Sequence, residues 1–281
     1  MPRRHPLHHP RPSRTTNVTA PRVSVVIPTF NEAKNLPHVF SLLPADLHEV
    51  ILVDGRSVDD TVAVARRLRP DVRIVRQNRR GKGNAMACGF AAVTGDIVVM
   101  LDADGSADPG EIPLYVQALL AGADFAKGTR FAPGGGSADI TPMRAWGNGW
   151  LNRAANLLFG TRYTDLCYGY NAFWATCLPA LELDAGGPGI DQRLWGDGFE
   201  IETLINTRIA KARLRITEVP ATNATASTAR ATSTPGATDS AASAPSSSID
   251  STARASPPRS LPTARTPPSF RRPARTSHCR R

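Results

Sequence analysis

No stretch of this chain stays apolar for the ~20 residues that a bilayer-crossing helix needs, so no spanning segment is expected. The basic, Pro- and His-rich start is followed by no apolar run, which argues against an ordinary secretory signal. His5, His8 and His9 there read as a solvated start rather than a metal site. Cysteine is scarce. Cys88, Cys167, Cys177 and Cys279 show no paired-ligand spacing and read as thiols of a reducing compartment, which places the protein in the cytoplasm. The two ends almost lack acid. Of the formal +10, four units fall in residues 1–20 and seven in 221–281, which leaves the middle at −1. A nucleic-acid reader more often carries its basic stripe on the folded face, so no nucleic-acid partner is expected.

What is present, from Val23 onward, is regular alternation. "VSVVIP", "EVILVD", "VRIVRQ", "DIVVMLD" and "ADFAKG" read as strands. Between them "NEAKNLPHVFSLL", "SVDDTVAVARRL", "GNAMACGFAAV" and "PGEIPLYVQALL" read as helices, with Pro37 near the start of the first. Strands alternating with helices predict an α/β fold: a mostly parallel sheet covered on both faces. Ligands of such sheets bind outside the carboxyl ends of the strands. Pro28, Asn31, Glu32, Asp54, Asp102, Asp104, Lys127 and Arg130 all fall at that rim.

Asp102 and Asp104, in "VVMLDADGSADPG", set two negative charges where a buried strand stops. Their repulsion demands a positive partner. Hard carboxylate oxygens suit Mg2+ or Mn2+, which keeps waters and shares phosphate oxygens. The structural alternative is a turn whose carboxylates cap the next helix. Lys82, in "RRGKGN", is no P-loop lysine, because no Ser or Thr follows it and the upstream Gly is misplaced. Gly81 and Gly83 beside it read as places where backbone approaches a nucleotide, or as a tight turn.

Residues 131–141, "FAPGGGSADIT", are either a lid or a plain surface connection. The helix "WGNGWLNRAANLLFG" carries Trp146, Trp150, Leu151, Leu157, Leu158 and Phe159. Core packing is the default reading of that stripe, and a surface that meets lipid is the sharper one. After Pro220, Ala, Ser, Thr, Pro and Arg take over and no apolar period remains, which predicts disorder. The tail is either a natural low-complexity segment or the product of a changed reading frame near residue 221. The second is favoured, since codons for "TARATSTPGATD" permit L-N-T-W-R-D-G in the shifted frame. The organisation read from the chain is therefore a basic extension over 1–21, a folded domain over 22–220, and a tail over 221–281.

"VVIPTFNEAKNL", "VILVDGRSVDDT", "GKGNAMACGF", "MLDADGS", "KGTRF" and "DGFEIETLI" occur in an order that resembles the family 2 glycosyltransferases of the GT-A fold, nearest to the polyprenyl-phosphate (dolichyl-phosphate) mannosyl- or glucosyltransferases. The resemblance covers about residues 22–220. It implies that Pro28, Phe30 and Glu32 line the base and ribose pocket and that Asp54 bonds the base. It implies Asp102 and Asp104 at metal and donor diphosphate, with Asp104 the more direct ligand. Arg130 would meet phosphate and Lys82 would lie at the donor site. Asp165 and Asn171, in "TDLCYGYNAFW", would lie near the acceptor. The family's Asp-Asp-Gly-Ser motif here reads Asp54-Gly55-Arg56-Ser57, one acid short. The family's later Arg and G-x-S-N-L segment is absent in frame.

The expected activity is metal-dependent, inverting transfer of a hexose from UDP-glucose or GDP-mannose to an acceptor such as a polyprenyl phosphate, with peripheral contact at the inner face of a membrane. A phosphate acceptor needs no strong base; a hydroxyl acceptor does, and Asp197 in "WGDGFEIE" is the candidate. Its structural alternative is an acid at a helix N-terminus. The rival readings are a catalytically impaired, nucleotide-binding homologue with an altered C-terminus, a nucleic-acid-associated protein and a nucleotidyltransferase.

Overall fold

The computed structural model describes residues 20–137, 140–186 and 194–223. The expected extension over 1–21 lies almost wholly outside the described residues, as does the tail beyond Asn223, where a changed reading frame was expected. The chain builds β1 (Val23–Thr29), α1 (Leu36–Ser41), β2 (Glu49–Asp54), α2 (Thr61–Leu68), β3 (Arg73–Arg76), α3 (Lys82–Ala91) and β4 (Ile97–Met100). Then follow α4 (Ile112–Leu120), β5 (Phe125–Thr129), β6 (Gly136–Ser137), α5 (Pro142–Phe159), β7 (Asn171–Trp174), α6 (Leu178–Leu181), α7 (Ile201–Lys211), β8 (Ile216–Pro220) and β9 (Thr222–Asn223).

Seven strands form one sheet in the order β3-β2-β1-β4-β7-β5-β8. All pairs are parallel except those of β7, which runs antiparallel to β4 and β5. The expected mostly parallel α/β sheet is thus present. The insertion of β7 between β4 and β5 is the departure from simple alternation. It brings Asn171, at the start of β7, opposite Met100, at the end of β4.

Successive residues of the central strands face opposite layers, as a pleat requires. Val25, Ile27, Val50, Leu52 and Val99 pack with α1, α2 and α4 on one face. Val26, Ile51, Val53, Val98, Met100, Phe125 and Phe173 pack with α3 and α7 on the other. Burial on both faces explains why these strands read as unbroken apolar runs. Gly89 lets α3 lie close to the sheet, since a Cβ there would stand 2.4 Å from Val26 Cγ1. Phe125 stacks on Phe173 with centroids 5.6 Å apart.

Two expected boundaries move for local reasons. The first helix begins at Leu36 rather than Asn31, because Asn31 takes a left-handed φ of 59° and Pro37 fits only the first helical turn. β1 continues through Pro28 to Thr29. Pro28 lacks an N–H on the side facing β4, but the β4 register stops at Val26↔Met100, so no ladder bond is lost.

Candidate active site at the carboxyl rim of the sheet

The loops after β1 and β2 are stitched into one cradle. Asn31 N–H donates to Ser57 Oγ at 3.0 Å, and Val58 N–H donates to Asn31 Oδ1 at 2.8 Å. Glu32 N–H reaches Thr61 Oγ1 at 2.8 Å, and Ala33 N–H reaches Asp59 Oδ2 at 3.2 Å. Asp54 Oδ1 accepts Ser57 N–H at 3.0 Å. Asp54 is therefore the buried post of the turn, and its Oδ2 lies 4.0 Å from Arg76 Nε. Phe30 projects from the cradle, 61% exposed, with Pro28 two residues back on β1. Ser57, Asp59 and Thr61 read in the sequence only as polar residues at the start of a helix. The available signal was the polar run Ser57-Val58-Asp59-Asp60-Thr61 at the start of α2.

Asp102 and Asp104 follow β4, in a turn that closes through Gly105 at a φ of 74°. Asp104 Oδ1 accepts Ser106 N–H at 2.9 Å. Among the described residues no cationic side chain pairs with Asp104. Asp102 differs. Lys82 Nζ lies 2.7 Å from Asp102 Oδ1, 2.8 Å from Oδ2 and 2.5 Å from Glu202 Oε1. Part of the positive charge that the aspartate pair demands is thus the protein's own. Burial alone would push the Lys82 ammonium down, but Asp102 and Glu202 more than offset this and hold it above the usual lysine value. Burial raises the Glu202 carboxyl, against the pull of Lys82. Glu32 is also raised, by burial first, with the Asn35 bond opposing and the negative charges of Asp104 and Asp102 adding to the rise. Glu32, Asp102 and Asp104 therefore share one electrostatic neighbourhood.

Among the described residues no group of three or more His, Cys, Asp or Glu could by itself hold a metal. Asp104, with a carboxylate oxygen not taken by the turn, and the partly open Asp102 fit a hard divalent ion that draws its other ligands from phosphate and water.

Four expectations change. Asp197 was the candidate base, but Arg79 Nε and Nη2 grip both its oxygens at 2.9 and 3.0 Å, and Leu194 N–H adds a third bond at 2.8 Å. The pair is almost wholly buried, so Asp197 anchors the segment before α7, and both its oxygens are engaged rather than open to a substrate proton. Gly81 and Gly83 admit that same segment, not a nucleotide. A Cβ at Gly81 would stand 2.0 Å from Asp197 O, and one at Gly83 1.7 Å from Gly196 O. Lys127 does not follow β5 but lies inside it, fully buried, donating to Gly128 O at 2.7 Å and Tyr168 O at 2.8 Å. Burial pushes its ammonium down to about 8, against the attraction of Asp165 and Glu218. Arg130 is held by Asp165 at 2.7 and 2.9 Å, and its guanidinium lies 4.7 Å over the Tyr168 ring. Asp165 takes two of the five N–H groups of Arg130, which leaves both on Nη1 and the second on Nη2 for a phosphate, and Asp165 is a buried counter-ion rather than an open acceptor contact.

Asn171, buried on β7, has a side-chain oxygen with no hydrogen-bond partner among the described residues. In the expected lid, Gly136 and Ser137 form β6 and pair with β9, while Ala138 and Asp139 lie outside the described residues. Most of the stripe on α5 is not core. Trp146 is 72% exposed, Trp150 62%, Leu157 86% and Leu158 74%. Trp195 and Phe199, before α7, are also exposed. Core packing, the default reading of that stripe, holds only for Phe159, which packs against Ala155, Tyr163 and Leu166, and is overturned for the rest. No helix among the described residues is long and apolar enough to cross a membrane.

A parallel-rich sheet with acids at its carboxyl rim defines the class: an α/β fold of the GT-A transferase type. The same fold occurs in glucosyl-3-phosphoglycerate synthase from Mycobacterium tuberculosis, solved in complex with Mn2+ and UDP-glucose. That structure has a TM-score of 0.55 at 23% identity and covers 72% of this chain and 70% of its own. The chain belongs to glycosyl transferase family 2, which matches residues 24–178. It is 42% identical over 108 residues to an uncharacterized glycosyltransferase of Mycobacterium tuberculosis, 38% of this chain and 48% of that relative. The chain thus spans about half the length of that relative. It is 34% identical over 216 residues to the undecaprenyl-phosphate mannosyltransferase of Micrococcus luteus, 72% of this chain and 83% of that protein.

Proposed function

We propose that this chain transfers a hexose from a nucleotide-diphosphate sugar, UDP-glucose or GDP-mannose, to a lipid phosphate, with Mg2+ or Mn2+ at the donor diphosphate. The observation that carries the reading is Asp104: a carboxylate with no cationic partner among the described residues, at the open end of β4, beside Asp102 and the half-buried Glu32. The metal and the nucleotide sugar in the synthase of like fold, and the name of the Micrococcus relative, support it.

When bound, the divalent ion neutralises the leaving diphosphate, so that the bond to the anomeric carbon can break. Phe30 and Pro28 supply an apolar wall for the base. Asp54 Oδ2, the oxygen not used by Ser57, meets the base edge. Asp104 and Asp102 would hold the ion at the donor diphosphate, and the free N–H groups of Arg130 would meet phosphate charge. Asn171 offers its unpaired oxygen to the acceptor side. A phosphate acceptor is already anionic at neutral pH, so transfer with inversion needs no side-chain base. That agrees with the engagement of Asp197 by Arg79. The exposed face of α5 would rest on the membrane that holds the acceptor.

Calorimetric titration with UDP and with GDP, each with and without Mn2+, tests the reading. One nucleotide should bind in a metal-dependent way. Asp104→Ala should weaken that binding by at least about tenfold, the loss of one charge-assisted contact, and leave the fold intact. Unchanged metal-dependent binding in this variant removes the metal assignment. No binding by the folded wild-type chain supports the impaired-homologue reading instead.

A further inference from the structure

Lys82, at the first position of α3, touches two carboxylates of unequal exposure. The side chain of Asp102 is 34% exposed, that of Lys82 14% and that of Glu202 10%. Glu202 is fixed in the first turn of α7. Backbone closes over the contact from the other side, since a Cβ on Gly169 would stand 3.2 Å from Glu202 Oε1 and 3.3 Å from Lys82 Nζ. One carboxylate is therefore a buried anchor, and the other faces the open rim two residues from Asp104.

We infer that Glu202 is a positioning residue of the donor site: by anchoring Lys82 it frees Asp102 to turn to a divalent ion. The inference rests on the donor-site reading above. Its physical basis is the fate of the ammonium. With Glu202 in place, Asp102 can leave Lys82 and the buried cation keeps a partner. Without that charge, releasing Asp102 strands an ammonium out of water, which is costly, so Asp102 stays paired. Net charge points the same way. Asp102, Lys82 and Glu202 together carry −1, whereas Asp102 and Lys82 alone carry none, and the attraction for a cation falls accordingly.

The test measures free Mn2+ by electron paramagnetic resonance in mixtures of Mn2+, full-length protein and UDP or GDP. Glu202→Gln, nearly the same shape, should weaken Mn2+ binding about tenfold, as the loss of one nearby charge implies. Lys82→Met, assayed with Mn2+ alone, should tighten binding, because it removes the competitor for Asp102. Glu202→Asp, which keeps the charge, should recover most of the affinity and covers the case in which the glutamine variant folds poorly. A purely structural role would move Glu202→Gln and Lys82→Met in the same direction, and that result overturns the inference. Wild-type Mn2+ binding that Glu202→Gln leaves unchanged also overturns the inference alone. Absence of Mn2+ binding in the wild type removes the donor-site reading and the inference with it.

Discussion

Asp197 shows how far a residue's role depends on what faces it. In the sequence it is an acid before a helix, as suited to proton transfer as to capping. In the fold it is one half of a buried, two-pronged pair with Arg79, 118 residues away along the chain. The same guanidinium also donates from Nη2 to Asp184 O at 2.8 Å. Asp197→Asn leaves that cation buried without its counter-charge, which costs about 3–5 kcal/mol for a broken buried pair. Urea unfolding should show the loss directly. A general base would behave otherwise, with turnover falling while the unfolding midpoint stayed put, and that pattern would restore the catalytic role. Lys82 makes the same point. It was expected at the donor site without being a P-loop lysine, and in the fold its ammonium is paired with both Asp102 and Glu202. Neither the Arg79–Asp197 nor the Lys82–Glu202 partnership is visible in the sequence, because each joins positions more than a hundred residues apart.

At the scale of elements the sequence was informative where periodicity alone decides. The unbroken apolar runs of β1, β2 and β4 announce strands buried on both faces, and the order of strands and helices places Glu32, Asp54, Asp102 and Asp104 on one rim. What was not legible is whatever tertiary contact decides. β7 is short, and its antiparallel place between β4 and β5 follows from pairing, not from composition. The stripe of α5 has the period of a core helix, and period cannot say which surface it meets. Glycines are similar, since spacing reveals a turn but not its neighbour. Gly83 and Gly149 should therefore behave oppositely. Gly83→Ala drives a methyl to 1.7 Å from Gly196 O and must part the start of α3 from the segment before α7. Gly149, within α5, has nothing within 4 Å of a Cβ, so Gly149→Ala should stabilise by about 0.5–1 kcal/mol through helix propensity. Thermal unfolding of the two variants checks the contrast. A tolerated Gly83→Ala would mean that the two segments do not close on each other as described.

Along the chain, charge and exposed apolar residues fall in different stretches, and that separation makes membrane contact measurable in two parts. The excess of +10 comes from residues 1–20 and 221–281, while the span between them is nearly neutral. α5 contains no Asp or Glu, and it exposes Trp146, Trp150, Leu157 and Leu158. Attraction of the basic ends to anionic lipid is screened over a Debye length of about 8 Å at physiological salt and fades further as salt rises. Burial of indole and leucyl surface is not screened. Cosedimentation of the full chain with phosphatidylglycerol-containing vesicles should therefore show a salt-sensitive component and a residue that survives high salt. With neutral phosphatidylcholine only the second should appear. Trp146→Ser with Trp150→Ser should remove most of that salt-resistant component, by roughly tenfold or more, since each large apolar side chain contributes about 1.5–3 kcal/mol when fully buried. The salt-sensitive component should persist in the same variant. If the double variant binds at high salt as the wild type does, α5 is not the lipid-facing surface. If wild-type binding vanishes entirely with salt, the membrane meets the basic ends alone, and the exposed tryptophans need another partner.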